Sequence, residues 1–90
     1  MKITVELSLY PLQENPIPVI TGFIADLASE SGVETVTNQM STQLRGELTV
    51  VLRVVEQALR RSFSGPHHQV LVAKFLNVDM PIGEPPELKA

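Results

Sequence analysis

Cysteine is missing from this sequence, and its absence excludes several kinds of chemistry. Disulfides, zinc–thiolate sites and thiol catalysis all need cysteine, so packing or association between chains must stabilise the fold. Aromatic residues are only 4% of the chain, whereas RNA-recognition domains place several on an open sheet. Seven Lys and Arg against ten Asp and Glu give a formal charge of −3, without the basic clusters that bind nucleic acid. We expect no nucleic-acid partner.

Long hydrophobic runs are also missing. The first residues alternate and include the carboxylate of Glu6, whereas signal peptides and spanning helices need uninterrupted apolar stretches, so we expect a cytoplasmic protein without a membrane partner. His67 and His68 are adjacent and have no acidic neighbours at ligand spacing, which predicts no metal site. A phosphate-binding glycine loop and a nucleophile elbow are absent as well, so we expect no enzyme, no catalytic residue and no cofactor.

The hydrophobic pattern that is present is typical of one small domain. With 90 residues the chain can bury a single core. Strict alternation over residues 2–9 predicts a strand with one apolar face. Helical spacing predicts a helix that Asn15 caps and Gly32 closes, and a second helix that starts after Glu47 and ends near Arg61. Further strands are predicted at 33–40, 43–47 and 69–78.

This order of elements predicts an α+β, ferredoxin-like βαββαβ sandwich, with a four-stranded antiparallel sheet and two helices on one of its faces. The domain covers residues 1–78. Residues 79–90 form a Pro-rich C-terminal tail without periodicity, which we expect to be mobile.

The open face of the sheet is the first candidate for function. The last strand is apolar on both sides, so Val70, Val72 and Leu76 would form an exposed patch, which predicts a homodimer or homotetramer through the open face and the edge strands. Phe75 falls on the opposite, core face. Glu6 and Lys74 lie on neighbouring strands, either as a surface ion pair or as a ligand anchor, and the sequence does not separate the two.

A second candidate is the polar segment at residues 37–42, Thr-Asn-Gln-Met-Ser-Thr. Short hydrogen-bonding side chains at a strand connection are typical of turns, and they also suit a polar ligand. Both interpretations stay open on spacing alone.

Three blocks of sequence resemble the thiamine-binding YkoF family: Glu-Leu-Ser-Leu-Tyr-Pro-Leu at 6–12, the segment at 37–42, and Gly46-Glu47 leading into a Val-rich helix. The resemblance implies a ferredoxin-like domain that binds thiamine or its hydroxymethylpyrimidine moiety and pairs with a second such domain. We therefore expect the ligand at the open sheet face of an oligomer. An aminopyrimidine offers a donor amine beside acceptor ring nitrogens, which carboxylates, amides and hydroxyls can match. The residues suited to such a ligand are Glu6, Ser8, Tyr10, Thr37, Asn38, Met40, Ser41, Thr42 and Glu47.

The alternative hypothesis is a structural or regulatory oligomerisation domain with no dedicated ligand. In that case the open face would serve association alone.

Overall fold

Strands and helices follow one another in the predicted βαββαβ order. A computed structural model describes residues 1–88 of the chain. The elements are β1 Lys2–Pro11, α1 Ile17–Ala28, β2 Val33–Thr37, β3 Thr42–Glu47, α2 Leu48–Phe63 and β4 Gln69–Leu76.

The sheet has the strand order β2-β3-β1-β4, and every pair of neighbours is antiparallel. One face of β1 carries buried aliphatic side chains that pack against both helices, with Phe23 and Leu27 from α1 and Val51 and Val54 from α2. The predicted ferredoxin-like fold, with both helices on one face, is confirmed. Within residues 1–88, no helix is long and apolar enough to cross a membrane.

The ends of α1 differ from the prediction. Pro16 is the N-cap residue and no side chain caps the helix, so the expected capping by Asn15 is wrong. The helix ends at Ala28, where the Ser29 N–H donates to the Ala25 carbonyl. Gly32 has a φ of 88° but lies in the turn before β2, so it does not close the helix.

Two of the strands are shorter than predicted. β2 ends at Thr37 rather than residue 40, because the chain turns there back into β3. β4 ends at Leu76 rather than residue 78, because the chain bends there and the Val78 carbonyl accepts a hydrogen bond from Thr4 on the open face. β1 is longer and continues to Pro11, opposite Gln69 of β4.

Phe75 lies on the helix-covered side of the sheet by register, opposite Val5, but 53% of it is exposed. The expectation of a core position is wrong because β4 is an edge strand and the buried core is centred on β1.

Residues 77–83, which we name the C-terminal strap, cross part of the open face. Thr4 Oγ1 donates to the Val78 carbonyl at 2.8 Å and accepts from the Met80 N–H at 2.9 Å. Arg45, beside Thr4 on β3, bonds the carboxylate of Asp79. The domain boundary at residue 78 stays a prediction, and the last two residues of the predicted tail, 89 and 90, lie outside the described chain.

Candidate functional site

A cavity of about 240 Å³ lies at the end of the sheet where β1 extends beyond its pairing with β3. The pairing of these strands stops at Leu7 opposite Thr42, while β1 continues beside β4 to Pro11. The turn at residues 38–41, which we name the hairpin turn, and the helix α1 enclose the space left beside the end of β1. The cavity therefore results from unequal strand lengths.

The wall of this cavity is apolar on one side and polar on the other. Buried or half-buried aliphatic and aromatic side chains of β1 and α1 form the apolar side: Leu7, Leu9, Ile20, Phe23 and Ile24. Ser8, Tyr10 and residues 37–42 form the polar side. An apolar surface beside a few convergent polar groups is typical of sites for small organic ligands.

Asn38 organises the hairpin turn. Its Oδ1 accepts from the N–H groups of Met40 at 2.8 Å and Ser41 at 3.0 Å, while its own N–H donates to the Ser41 carbonyl. An Asn side chain that bonds the backbone two and three residues later stabilises a turn. The turn interpretation of this segment is therefore correct for Asn38 Oδ1, and Asn38 Nδ2 is the group it can offer to a ligand. Met40, at the tip, is 85% exposed and does not fill the core.

Ser41 connects the hairpin turn to the open face. Its Oγ donates to Glu6 Oε2 at 2.9 Å and accepts from Gln43 Nε2 at 3.0 Å. The other oxygen of Glu6 lies 3.5 Å from Lys74 Nζ. Glu6 thus stands at the rim of the cavity in a cross-strand ion pair, as one of the two sequence interpretations predicted.

Thr37 and Thr42 close the base of the turn. Their hydroxyls lie 3.0 Å apart and hydrogen-bond to each other. Thr42 is only 4% exposed, so this pair fixes the position from which the turn projects over the cavity.

The structure gathers most of the predicted site residues at this cavity. Seven of the nine line it: Ser8, Tyr10, Thr37, Asn38, Met40, Ser41 and Thr42. Glu6 lies at its rim through Ser41. Glu47 is at the far end of β3, where its Oε2 binds the N-terminal ammonium of Met1 at 2.9 Å, so it does not share this site. That these residues bind a ligand stays a prediction.

The apolar side of the cavity carries no signal in the sequence that separates it from the core. Ile20, Phe23 and Ile24 carry the helical spacing of a core stripe. Nothing in that spacing shows that β3 starts only at Thr42 and leaves these side chains beside a cavity. Gln39 was also missed, although it stands within the polar segment at 37–42.

Charged groups are sparse at the cavity itself. Its lining residues are all uncharged, and the Glu6 carboxylate reaches the lining through its hydrogen bond from Ser41. At the other end of the open face, the hydrogen bond from Arg45 lowers the pKa of Asp79 below its ordinary value. In the described part of the chain, no group of three or more His, Asp or Glu residues is placed to hold a metal ion.

Comparison with protein families gives a match to the YKOF-related family over residues 2–83. A comparison with curated proteins gives no match.

Among solved structures, a Streptococcus pneumoniae protein has 27% sequence identity to this chain and a TM-score of 0.79, with 92% of each chain covered. A candidate thiamine biosynthesis/salvage protein from Thermotoga maritima has 21% identity and a TM-score of 0.79 over 91% of each chain. A domain of unknown function from Bacillus cereus has 24% identity and a TM-score of 0.72, covering 88% of this chain and 78% of its own. The fold of this chain is thus similar to that of proteins from different bacteria.

Proposed function

This chain belongs to the YKOF-related family, and from that premise we propose that it binds thiamine or its hydroxymethylpyrimidine moiety without any covalent step. The structural similarity to the candidate thiamine biosynthesis/salvage protein of Thermotoga maritima supports this choice of ligand class.

The observation that carries the proposal is the two-sided cavity at the end of β1. Its volume of about 240 Å³ is below the roughly 300 Å³ at which pockets for drug-sized ligands begin, so one aromatic ring suits it better than a large ligand. A methylated aminopyrimidine has an apolar body and a polar edge. The apolar side formed by β1 and α1 and the polar hairpin turn match those two parts.

The remainder of thiamine, a cationic thiazolium, would lie at the rim. Glu6 supplies a carboxylate there, and Tyr10, which is 54% exposed, supplies an aromatic face. Both groups attract a cationic ring. The pyrimidine alone would use the cavity without this rim contact.

The lining residues suit binding rather than catalysis. They offer hydroxyls, amides and apolar surface, and the serines among them, Ser8 and Ser41, have no histidine beside them in the cavity wall. Hydroxyl nucleophiles need an adjacent base to react.

Association of chains forms a second part of the proposal. Val70, Val72 and Leu76 lie on the open face of an edge strand and are 44–47% exposed. An edge strand with apolar side chains is prone to pair with a copy of itself, and a two-fold arrangement is self-complementary. A homodimer or homotetramer would cover this surface. The cytoplasmic location stays a prediction.

Isothermal titration calorimetry with thiamine and with hydroxymethylpyrimidine tests ligand binding. We expect saturable binding of both, and about three- to tenfold weaker binding by Ser41→Ala, because this change removes two hydrogen bonds that hold the rim. Ser31→Ala, in the exposed turn after α1, is the matched control and should bind like the unaltered chain. The absence of heat and of a thermal shift at millimolar ligand would instead favour the oligomerisation domain.

A further inference from the structure

The backbone of Leu9 is the least expected feature of the cavity, and it deepens the function proposed above, on which this inference rests. We infer that the N–H and C=O of Leu9 together bind the aminopyrimidine edge of the ligand, as a donor and an acceptor facing the same way.

The direction of the Leu9 backbone groups follows from the alternation of β1. In an antiparallel sheet, successive residues of a central strand direct their N–H and C=O to opposite neighbours. The N–H of Leu12 donates to the His68 carbonyl on the β4 side, so the even-numbered residues of β1 direct their N–H and C=O groups toward β4. The Leu48 N–H donates to the Met1 carbonyl from the β3 side. This bond agrees with odd-numbered residues directing their N–H and C=O groups toward β3. The N–H and C=O of Leu9 therefore point toward the β3 side.

On that side, the β3 ladder supplies Leu9 with no partner. The register ends at Leu7 opposite Thr42, and its next step would place Met40 opposite Leu9. Met40 belongs to the hairpin turn instead, where its N–H is held by Asn38 Oδ1. Leu9 is only 7% exposed, and buried backbone polar groups are nearly always hydrogen-bonded in native proteins. A ligand in the cavity would supply the missing partner.

The edge of β1 beyond its pairing with β3 is too short for a peptide strand and suits a single ring. Pro11 is the next residue of β1 that faces the β3 side, and proline has no N–H. A docked strand would need donors at both positions, whereas only Leu9 provides one. One donor and one acceptor on a single residue match the neighbouring ring nitrogen and amine of an aminopyrimidine.

Amide hydrogen exchange on the full-length, ¹⁵N-labelled chain tests the inference, with hydroxymethylpyrimidine as the probe. At a concentration 100-fold above Kd, exchange of the Leu9 amide should slow at least tenfold, because exchange then requires release of the ligand. The Tyr10 amide, which faces β4, is the internal control and should change little. A pyrimidine with oxygen in place of the amine presents a reversed donor–acceptor pattern and should bind at least tenfold more weakly.

Saturable binding with unchanged exchange at Leu9, or equal binding of the oxygen analogue, would overturn the inference and leave the proposed function standing. No binding of any of these pyrimidines would overturn the proposed function, and the inference with it.

Discussion

At the scale of single residues, Glu6 uses both of its carboxylate oxygens although it lies on the open face of the sheet. One carboxylate oxygen accepts from Ser41 at the cavity rim and the other faces Lys74. The Lys74 side chain is 78% exposed, and exposed ion pairs contribute only about 0–1 kcal/mol. A ligand cation can therefore compete with Lys74 for Glu6.

This competition makes Lys74→Gln a test of charge selection. Without the Lys74 ammonium beside it, Glu6 should attract thiazolium more strongly. Calorimetry should then show thiamine binding about two- to fivefold more tightly. Binding of the uncharged hydroxymethylpyrimidine should not change, because it does not reach the rim.

Lys2→Gln is the matched control. It makes the same change in net charge on the same sheet face, and it lies about 13 Å further from the hairpin turn than the Glu6–Lys74 pair. If both variants alter thiamine binding equally, the effect is one of net charge and Glu6 does not select the ligand.

At the scale of elements, the hairpin turn decides where the cavity lies. The alternation in β1 was sufficient to predict its two faces, and these faces are as predicted from Ile3 to Leu9. The end of β2 could not be predicted in the same way, because no Gly or Pro follows its β-branched residues after Thr37, and the turn depends on hydrogen bonds made by one Asn side chain. The site residues in this segment were found by their chemistry and by family resemblance, whereas the cavity depends on relative strand lengths that only the fold determines.

Variants of Asn38 separate its support of the turn from its contact with a ligand. Asn38→Ala removes the acceptor of two backbone N–H groups and should destabilise the domain by about 1 kcal/mol in urea unfolding. Asn38→Asp keeps that acceptor and should preserve stability, while losing the Nδ2 donor available to the ligand. Equal destabilisation by the two changes would show that Oδ1 does not hold the turn.

At the scale of the whole molecule, the C-terminal strap divides the open face into two parts. The part around Thr4 and Arg45 lies under the strap, and the part that carries Glu6, Val70 and Val72 stays accessible beside the cavity. Any second copy would dock on the accessible part. The sequence predicted a mobile tail because Pro and Gly interrupt every periodic pattern there, and periodicity does not report single hydrogen bonds to a distant strand.

The strap should loosen in acid. Because the folded-state pKa of Asp79 is below its unfolded value of about 3.9, its stabilising contribution is complete above that value and is lost as the pH falls through the lower folded pKa. Chemical shifts of the Met80 amide should therefore titrate below about pH 4. Asp79→Asn should remove this titration, and a titration that persists in the variant would contradict the assignment.

Association through β4 predicts a dimer or tetramer in light scattering at micromolar concentration. Val72→Glu places a carboxylate in the accessible apolar patch and should give monomers. Leu52→Glu is the matched control, since Leu52 is 46% exposed on α2, away from the open face, and should leave the assembly unchanged. A strict monomer of the unaltered chain would contradict association at this face.

A crystal structure grown with thiamine tests the central claim most directly. We predict that the pyrimidine ring occupies the cavity between the end of β1, α1 and the hairpin turn, with its amine edge on the Leu9 backbone and its thiazolium toward Glu6. Thiamine bound on the accessible part of the open face, with this cavity empty, would contradict the account.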